Sequence, residues 1–393
     1  MYFLNFLLLL LFLQHINGAI RIDEDYKWKK KVIKIYCPPT ATITKHVIRR
    51  INRNTCLRLR VSKVPLNTNN SINIFYHPHS CFTRDVGATP DRPNRIFATN
   101  ECLKNSYVML FLLFRTLGLS YEHNRDDRDK YVSIRPPIDI TPEDNKTYFF
   151  KDKDVGYNTT TFGLNYDYGS IMHGDYKFHA AKIHRLITIF VRSRYSTWYY
   201  KTLGYSNKVS FNEYRLINYL YCNKTCKNHT LEFDCKRNGY QDPRNCAKCK
   251  CPYPFNGDDC WGILKSDFYC AEIYLIPQYE YKHQWYKWPK NCYITFEAKW
   301  NQRIEIVIYY LYFYYYDNKR CTRDTGMGVE ILYKTDKSVM GLFLCAAIDN
   351  YYGHVTLISE SNLVFMVYRG ISGSDTIRMK YRAIVNNGLE LNP

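Results

Sequence analysis

The spacing of apolar residues divides the chain into pieces of different character. The first is an apolar run from Phe3 to Leu13, broken only by Asn5 and followed by small residues at Gly18 and Ala19. This is the pattern of a secretory signal peptide covering residues 1–18, although the usual positive start is missing. The run is too short to span a bilayer, so no transmembrane anchor is expected. Val32–Tyr36 alternates as a strand and Pro38-Pro39 ends it. Val47, Ile48 and Ile51 recur at helical spacing within Thr44–Asn54. Cys56–Arg60 and Ile72–Phe75 predict further strands, together forming a mixed sheet. Leu103–Gly118 has no breaker before its last residue and predicts one continuous helix. Tyr214, Ile217 and Leu220 mark another helix over Phe211–Cys222.

Farther on, the period changes to two. Arg303–Ile308, Gly328–Leu332 and Met379–Ala383 alternate as strands of a two-sheet sandwich. The fold class read from this order is α+β. The aromatic run Tyr309–Tyr316 should turn every second ring to solvent if it is a strand. Either it forms an adhesive patch or it completes the sandwich core and rim, and the second is the expectation.

Composition adds a compartment. The 393 residues leave room for two or three domains. The 15 cysteines, behind a secretory leader, imply a disulfide framework with one thiol left over. Asn-x-Ser/Thr sequons at Asn69, Asn145, Asn158, Asn223 and Asn228 fit the same secreted location. A net charge of +19 favours acidic partners such as matrix polyanions, acidic glycans or anionic membranes, or simply keeps the chain soluble. No nucleic-acid module is recognisable, so nucleic acid is not expected as a partner.

The candidate chemistry lies in Phe111–Ile134, FLLFRTLGLSYEHNRDDRDKYVSI. This stretch resembles the long active-site signature of the astacin zinc metalloproteases. That signature is His-Glu-x-x-His-x-x-Gly-x-x-His-Glu followed by Arg-x-Asp-Arg-Asp-x-Tyr-Val-x-Ile. Gly118, Glu122, Arg125, Asp127, Arg128, Asp129, Tyr131, Val132 and Ile134 fall in register with it. Phe111, Arg115 and Tyr121 stand at the three zinc-ligand positions, and Leu112 at the general base. YDYGSIMH, ending at His173, resembles the family's Met-turn and supplies Met172. Gly174 occupies the place of the tyrosine that follows.

Residues i and i+4 of a helix share a face, which is how two histidines grip one zinc. A benzyl group offers no lone pair, and a guanidinium is permanently charged. Without the base a factor of about 10² to 10⁴ is lost, and without the metal both nucleophile and polarising charge go as well. The expectation is therefore no catalytic residue, no zinc cofactor and no measurable peptide hydrolysis. The alternative is an active zinc endopeptidase with an unrecognised site. His123 and His173 are the nearest candidates for a relocated ion, and His77 and His79 form another pair. Neither pair has an evident third ligand.

The resemblance extends over most of the chain. Residues 19–222 match a two-lobed, metzincin-type astacin domain, and Ala19–Trp28 is similar to a mature astacin start. A cut before Ala19 would leave no room for the family's latency propeptide. Glu122 would then receive the new α-amino group, and Met172 would hold the turn, both as structural residues. The family implies the bridges Cys56–Cys222 and Cys81–Cys102. Cys37 has no family partner, and is a free thiol, an intermolecular bridge, or a sign of one wrong pairing. Residues 223–260 resemble an EGF-like module, implying Cys226–Cys246, Cys235–Cys249 and Cys251–Cys260, without a calcium-binding signature. Residues 270–386 resemble a CUB β-sandwich with Cys270–Cys292 and Cys321–Cys345. No full acidic set for calcium is matched there. The implied function is a secreted, catalytically silent astacin homologue that binds extracellular proteins or matrix, with a structural matrix component as a further possibility.

Overall fold

A computed structural model of the chain describes residues 18–180, 186–204, 211–314, 327–345, 347–348 and 353–385. Most of the leader, Cys321, Tyr315 and Tyr316 lie outside them. The chain divides into two compact units. The first comprises Met1–Tyr166, Met172–Phe190 and Asn212–Asn228; the second comprises Asp167–Ile171, Val191–Phe211 and His229–Pro393.

The first unit is built on strands β1 (Val32–Tyr36), β2 (Arg58–Ser62), β3 (Ser71–Tyr76) and β4 (Asn94–Ala98), in the order β2-β1-β3-β4. Ile33 and Ile35 of β1 are wholly buried while Val32 and Lys34 face out, the period-two pattern of a half-covered strand. An antiparallel bridge from Phe82 to Phe97 extends the sheet beyond β4, so the sheet is mixed, in line with the sequence reading. The pairings among the four strands themselves are all parallel. The reason is connectivity, because parallel neighbours need a crossover and helix α1 (Thr42–Asn54) supplies one between β1 and β2. Val47, Ile48 and Ile51 form its buried stripe.

The expected single helix over Leu103–Gly118 is instead two. A short helix, Asn100–Lys104, gives way to α2 (Ser106–Thr116). Asn105 breaks them with extended backbone, and its side chain accepts from the Tyr107 and Val108 amides as an N-cap. Capping by asparagine competes with helix continuation, and no glycine or proline announces it. Helix α3 (Pro142–Phe149) and helix α4 (Phe211–Tyr221) follow. Cys222, just past α4, is bonded to Cys56, and the Asn218 amide donates to Asn54 O at 2.8 Å. Cys81 is bonded to Cys102. Cys37 is a half-buried free thiol.

In the second unit, Cys235 is bonded to Cys249, Cys251 to Cys260 and Cys270 to Cys292. Cys246 and Cys345 are each disulfide-bonded as well, as is Cys226 of the first unit. Two antiparallel-rich sheets follow. One has five strands and includes Asn291–Glu297 and Leu363–Arg369. The other holds β5 (Lys282–Lys287), β6 (Gln302–Tyr312), β7 (Val355–Ile358) and β8 (Thr376–Val385), in the order β5-β8-β6-β7. The sheets meet face to face through ring pairs Tyr286–Tyr368 and Phe296–Tyr381, with centroids 6.2 and 5.2 Å apart. Within the aromatic run, Leu311 and Phe313 are buried while Tyr312 and Tyr314 are exposed. Among the described residues, no helix is long and apolar enough to cross a membrane.

Candidate functional site

Helix α2 is apolar almost all round, and a helix of that kind belongs inside a core. Met109, Leu110, Leu112, Leu113 and Phe114 are fully buried, and Phe111 is half-buried. Leu112, at the general-base position, packs into this core with 0% exposure. Phe111 and Arg115 lie one turn apart and both reach Tyr121. The Phe111 and Tyr121 ring centroids are 5.7 Å apart, and the Arg115 guanidinium lies 4.4 Å over the Tyr121 ring. The fold therefore brings the three zinc-ligand positions together, as an aromatic and cationic stack. Burial pushes the Tyr121 phenol up to about 12, so it stays protonated and is no anionic ligand.

Around Tyr121 the packing continues through His123 at 4.9 Å, Phe178 at 5.5 Å and Tyr148 at 6.0 Å between centroids. Gly174 is decisive here, since a Cβ on it would fall 2.6 Å from Phe178 Cγ. Phe178 thus fills the room that a side chain at position 174 would need. No motif pointed to Phe178, Tyr148 or Asp152; an aromatic residue four positions past the glycine was the one available hint.

Both nearby histidines are neutral and structural. The Gly174 amide donates to His123 Nδ1 at 3.0 Å, so the proton sits on Nε2 and goes to Tyr148 O, also at 3.0 Å. His173 Nδ1 donates to Gly174 O at 2.7 Å, and its Nε2 accepts from the Tyr166 hydroxyl at 2.6 Å. Burial holds His173 down to about 4 and His123 well below the ordinary imidazole range, the latter helped by His173 itself. With both nitrogens of each ring engaged, neither is poised as a metal ligand. Among the described residues no group of three or more His, Cys, Asp or Glu side chains is placed to hold a metal.

The charged segment after Tyr121 works as a set of staples. Arg125 pairs with Glu122 at 2.8 Å and makes two 2.8 Å bonds to Asp127. Arg128 donates to the carbonyls of His123 and Phe149. The Glu122 amide donates to Met172 O, which ties this turn to the Met-turn. The carboxylate of Asp152 lies beside Gly18. A Cβ at Gly18 would lie 2.7 Å from its Oδ2, beside Thr159 Oγ1. Ser120 donates to Asp152 Oδ1 at 2.5 Å, yet burial still raises the acid to about 7. Arg115, Ser120, Asp152, Lys146 and Tyr157 line a cavity of about 400 Å³.

Zinc needs thiolate, imidazole or carboxylate ligands. Phe111, Arg115 and Tyr121 supply none, and the stack they form holds a fixed positive charge, so the residues present do not fit the ion. Of the sequons, Asn69, Asn158, Asn223 and Asn228 are exposed, whereas Asn145 is half-buried within α3.

The model of the astacin peptidase family matches residues 21–222. The chain belongs to the astacin family. The zinc metalloproteinase dpy-31 of Caenorhabditis elegans is 36% identical over 164 residues, covering 42% of this chain and 26% of that protein. This astacin homologue spans 26% to 32% of the length of the dpy-31 relatives it matches. Zinc metalloproteinase nas-26 of the same nematode is 26% identical over 347 residues, covering 85% of this chain and 77% of that one. The high choriolytic enzyme 1 structure, a hatching zinc-protease from Oryzias latipes, covers 52% of this chain and 99% of its own. Identity there is 22% and the TM-score 0.42.

Proposed function

We propose that this chain is a secreted astacin homologue without peptidase chemistry, which acts by binding partners outside the cell. The observation that carries the reading is the Arg115–Tyr121 contact, a guanidinium 4.4 Å over a ring, formed by two residues at zinc-ligand positions. The guanidinium and the ring face attract each other there, and the fixed positive charge opposes a dication at the same place. Leu112, buried in the core, offers no base. Residues 223–260 and 270–386 act in this reading as EGF-like and CUB modules. The paired cysteines and the two packed sheets support that assignment.

The test is zinc stoichiometry of the purified chain by elemental analysis, alongside cleavage of a peptide library with and without chelator. The expected result is substoichiometric zinc and no chelator-sensitive cleavage. One tightly held zinc per chain with chelator-sensitive cleavage overturns the proposal in favour of an active endopeptidase.

A further inference from the structure

The outer face of the sheet β5-β8-β6-β7 departs from an ordinary solvated surface. Along β8 the buried residues are Ile377, Met379 and Tyr381, which leaves Arg378, Lys380 and Arg382 pointing outward. The register sets Trp285 opposite Arg378 and His283 opposite Lys380 on the neighbouring strand β5, with Lys287 one step along. Trp285 is 57% exposed although it sits mid-strand. A bare indole flanked by cations on a regular strand is a recognition feature more than a packing one.

Arg382 is paired with Glu305 at 2.6 Å. Arg378 and Lys380 are not paired in this way. Among the described residues neither has a carboxylate partner, and each is propped on an aromatic face. Arg378 lies 5.2 Å over Tyr310, and Lys380 lies 4.3 Å over Tyr281. Beside Lys380, a groove of about 460 Å³ runs between His283, Val307, Tyr309, Gly353 and His354. Arg378 and Lys380 stand two residues apart on one face, about 6.6 Å along the strand. The face thus carries two cations without a carboxylate partner among the described residues, an aromatic plate and a groove.

We propose that this face binds an acidic polysaccharide, a sulfated or carboxylated glycan chain. The cations take successive anionic substituents, and Trp285 stacks on the apolar C–H face of a sugar ring. The net charge of +19 speeds the encounter but does not choose the place; the aromatic interleaving does. The inference rests on the reading of the chain as an extracellular binding protein, and it names the partner and the surface.

The experiment uses the full chain and a heparin oligosaccharide, with dextran, duplex DNA and anionic vesicles as comparisons. The double variant Arg378→Ser/Lys380→Ser should weaken heparin binding by about tenfold or more. Trp285→Ala should weaken it by about fivefold without changing net charge. Arg378→Lys/Lys380→Arg should bind much as the wild type does. Arg58→Ser/Lys63→Ser, which removes the same charge from exposed sites in the other unit, should change binding less than about twofold. Equal losses from both double-serine variants, an inert Trp285→Ala, or DNA or vesicles binding as tightly as heparin would overturn the proposal. Retained heparin binding by a chain found to hold zinc and cleave peptides would sink the silent-homologue reading alone.

Discussion

Phe178 occupies the space beside Gly174, with its ring where a Cβ on that glycine would lie 2.6 Å from Phe178 Cγ. The family tyrosine and this phenylalanine cannot both be accommodated without rearrangement. Because Phe178 also packs on Tyr121 and His123, its place is fixed by the same stack that fills the ligand positions. Gly174→Ala should therefore displace Phe178 and cost about 1–3 kcal/mol, as overpacking of a tight core does. Urea unfolding compares the variant with the wild type. Gly174→Ala/Phe178→Ala should recover less than additively, because one substitution relieves the clash made by the other.

The ligand positions are close together even though their chemistry is wrong. The triple variant Phe111→His/Arg115→His/Tyr121→His should accordingly gain a zinc site, read as about one bound ion per chain by elemental analysis. Adding Leu112→Glu should place a carboxylate in an apolar core and lower stability by several kcal/mol, unless the metal draws it out. A triple variant that gains no zinc over the wild type would mean that the stack is not superimposable on a metal site.

Acid should weaken the first unit. His123 and His173 are buried neutral, so their folded pKa values lie below the unfolded one, with His173 at about 4. Between about 6.5 and 4 the unfolded chain binds protons that the folded chain refuses. The stability they protect is complete above about pH 6.5 and falls as the pH drops. In an Asp152→Asn background, which removes an opposing titration, urea midpoints at pH 7.5 and 5 should differ in that direction, and His173→Gln should flatten the slope.

Asp152 titrates in the opposite sense. Its folded pKa is raised to about 7 by burial, so the stability it contributes is full below about pH 4 and is lost as pH rises through 7. Asp152→Asn keeps the shape and cannot ionise. The difference in stability between variant and wild type should shift in favour of asparagine between pH 5 and 8, by on the order of a few kcal/mol at most.

Cys37 offers a simple chemical check. Burial pushes its thiol up to about 12, so the reactive thiolate is scarce at neutral pH. A maleimide should label it slowly in the native chain and within minutes in denaturant. Fast native labelling, or reduction-sensitive dimers on a gel, would contradict this.

Much of this was legible in the linear chain. Short-period alternation located β1, β6 and β8, and the residue order of Phe111–Ile134 placed the family signature by itself. Ligand chemistry is a property of residue type, so Phe111, Arg115, Tyr121 and Leu112 could be judged unfit for zinc from their names. Local sequence could not decide what packs around those positions. Phe178, Tyr148 and His123 meet Tyr121 only because the chain folds back on α2, and a contact between distant residues leaves no periodic trace. The split at Asn105 and the parallel order of β1 to β4 were likewise settled by capping and connectivity, not by propensity. The same holds for the ladder that sets Trp285 against Arg378, since register is fixed by pairing between strands some ninety residues apart.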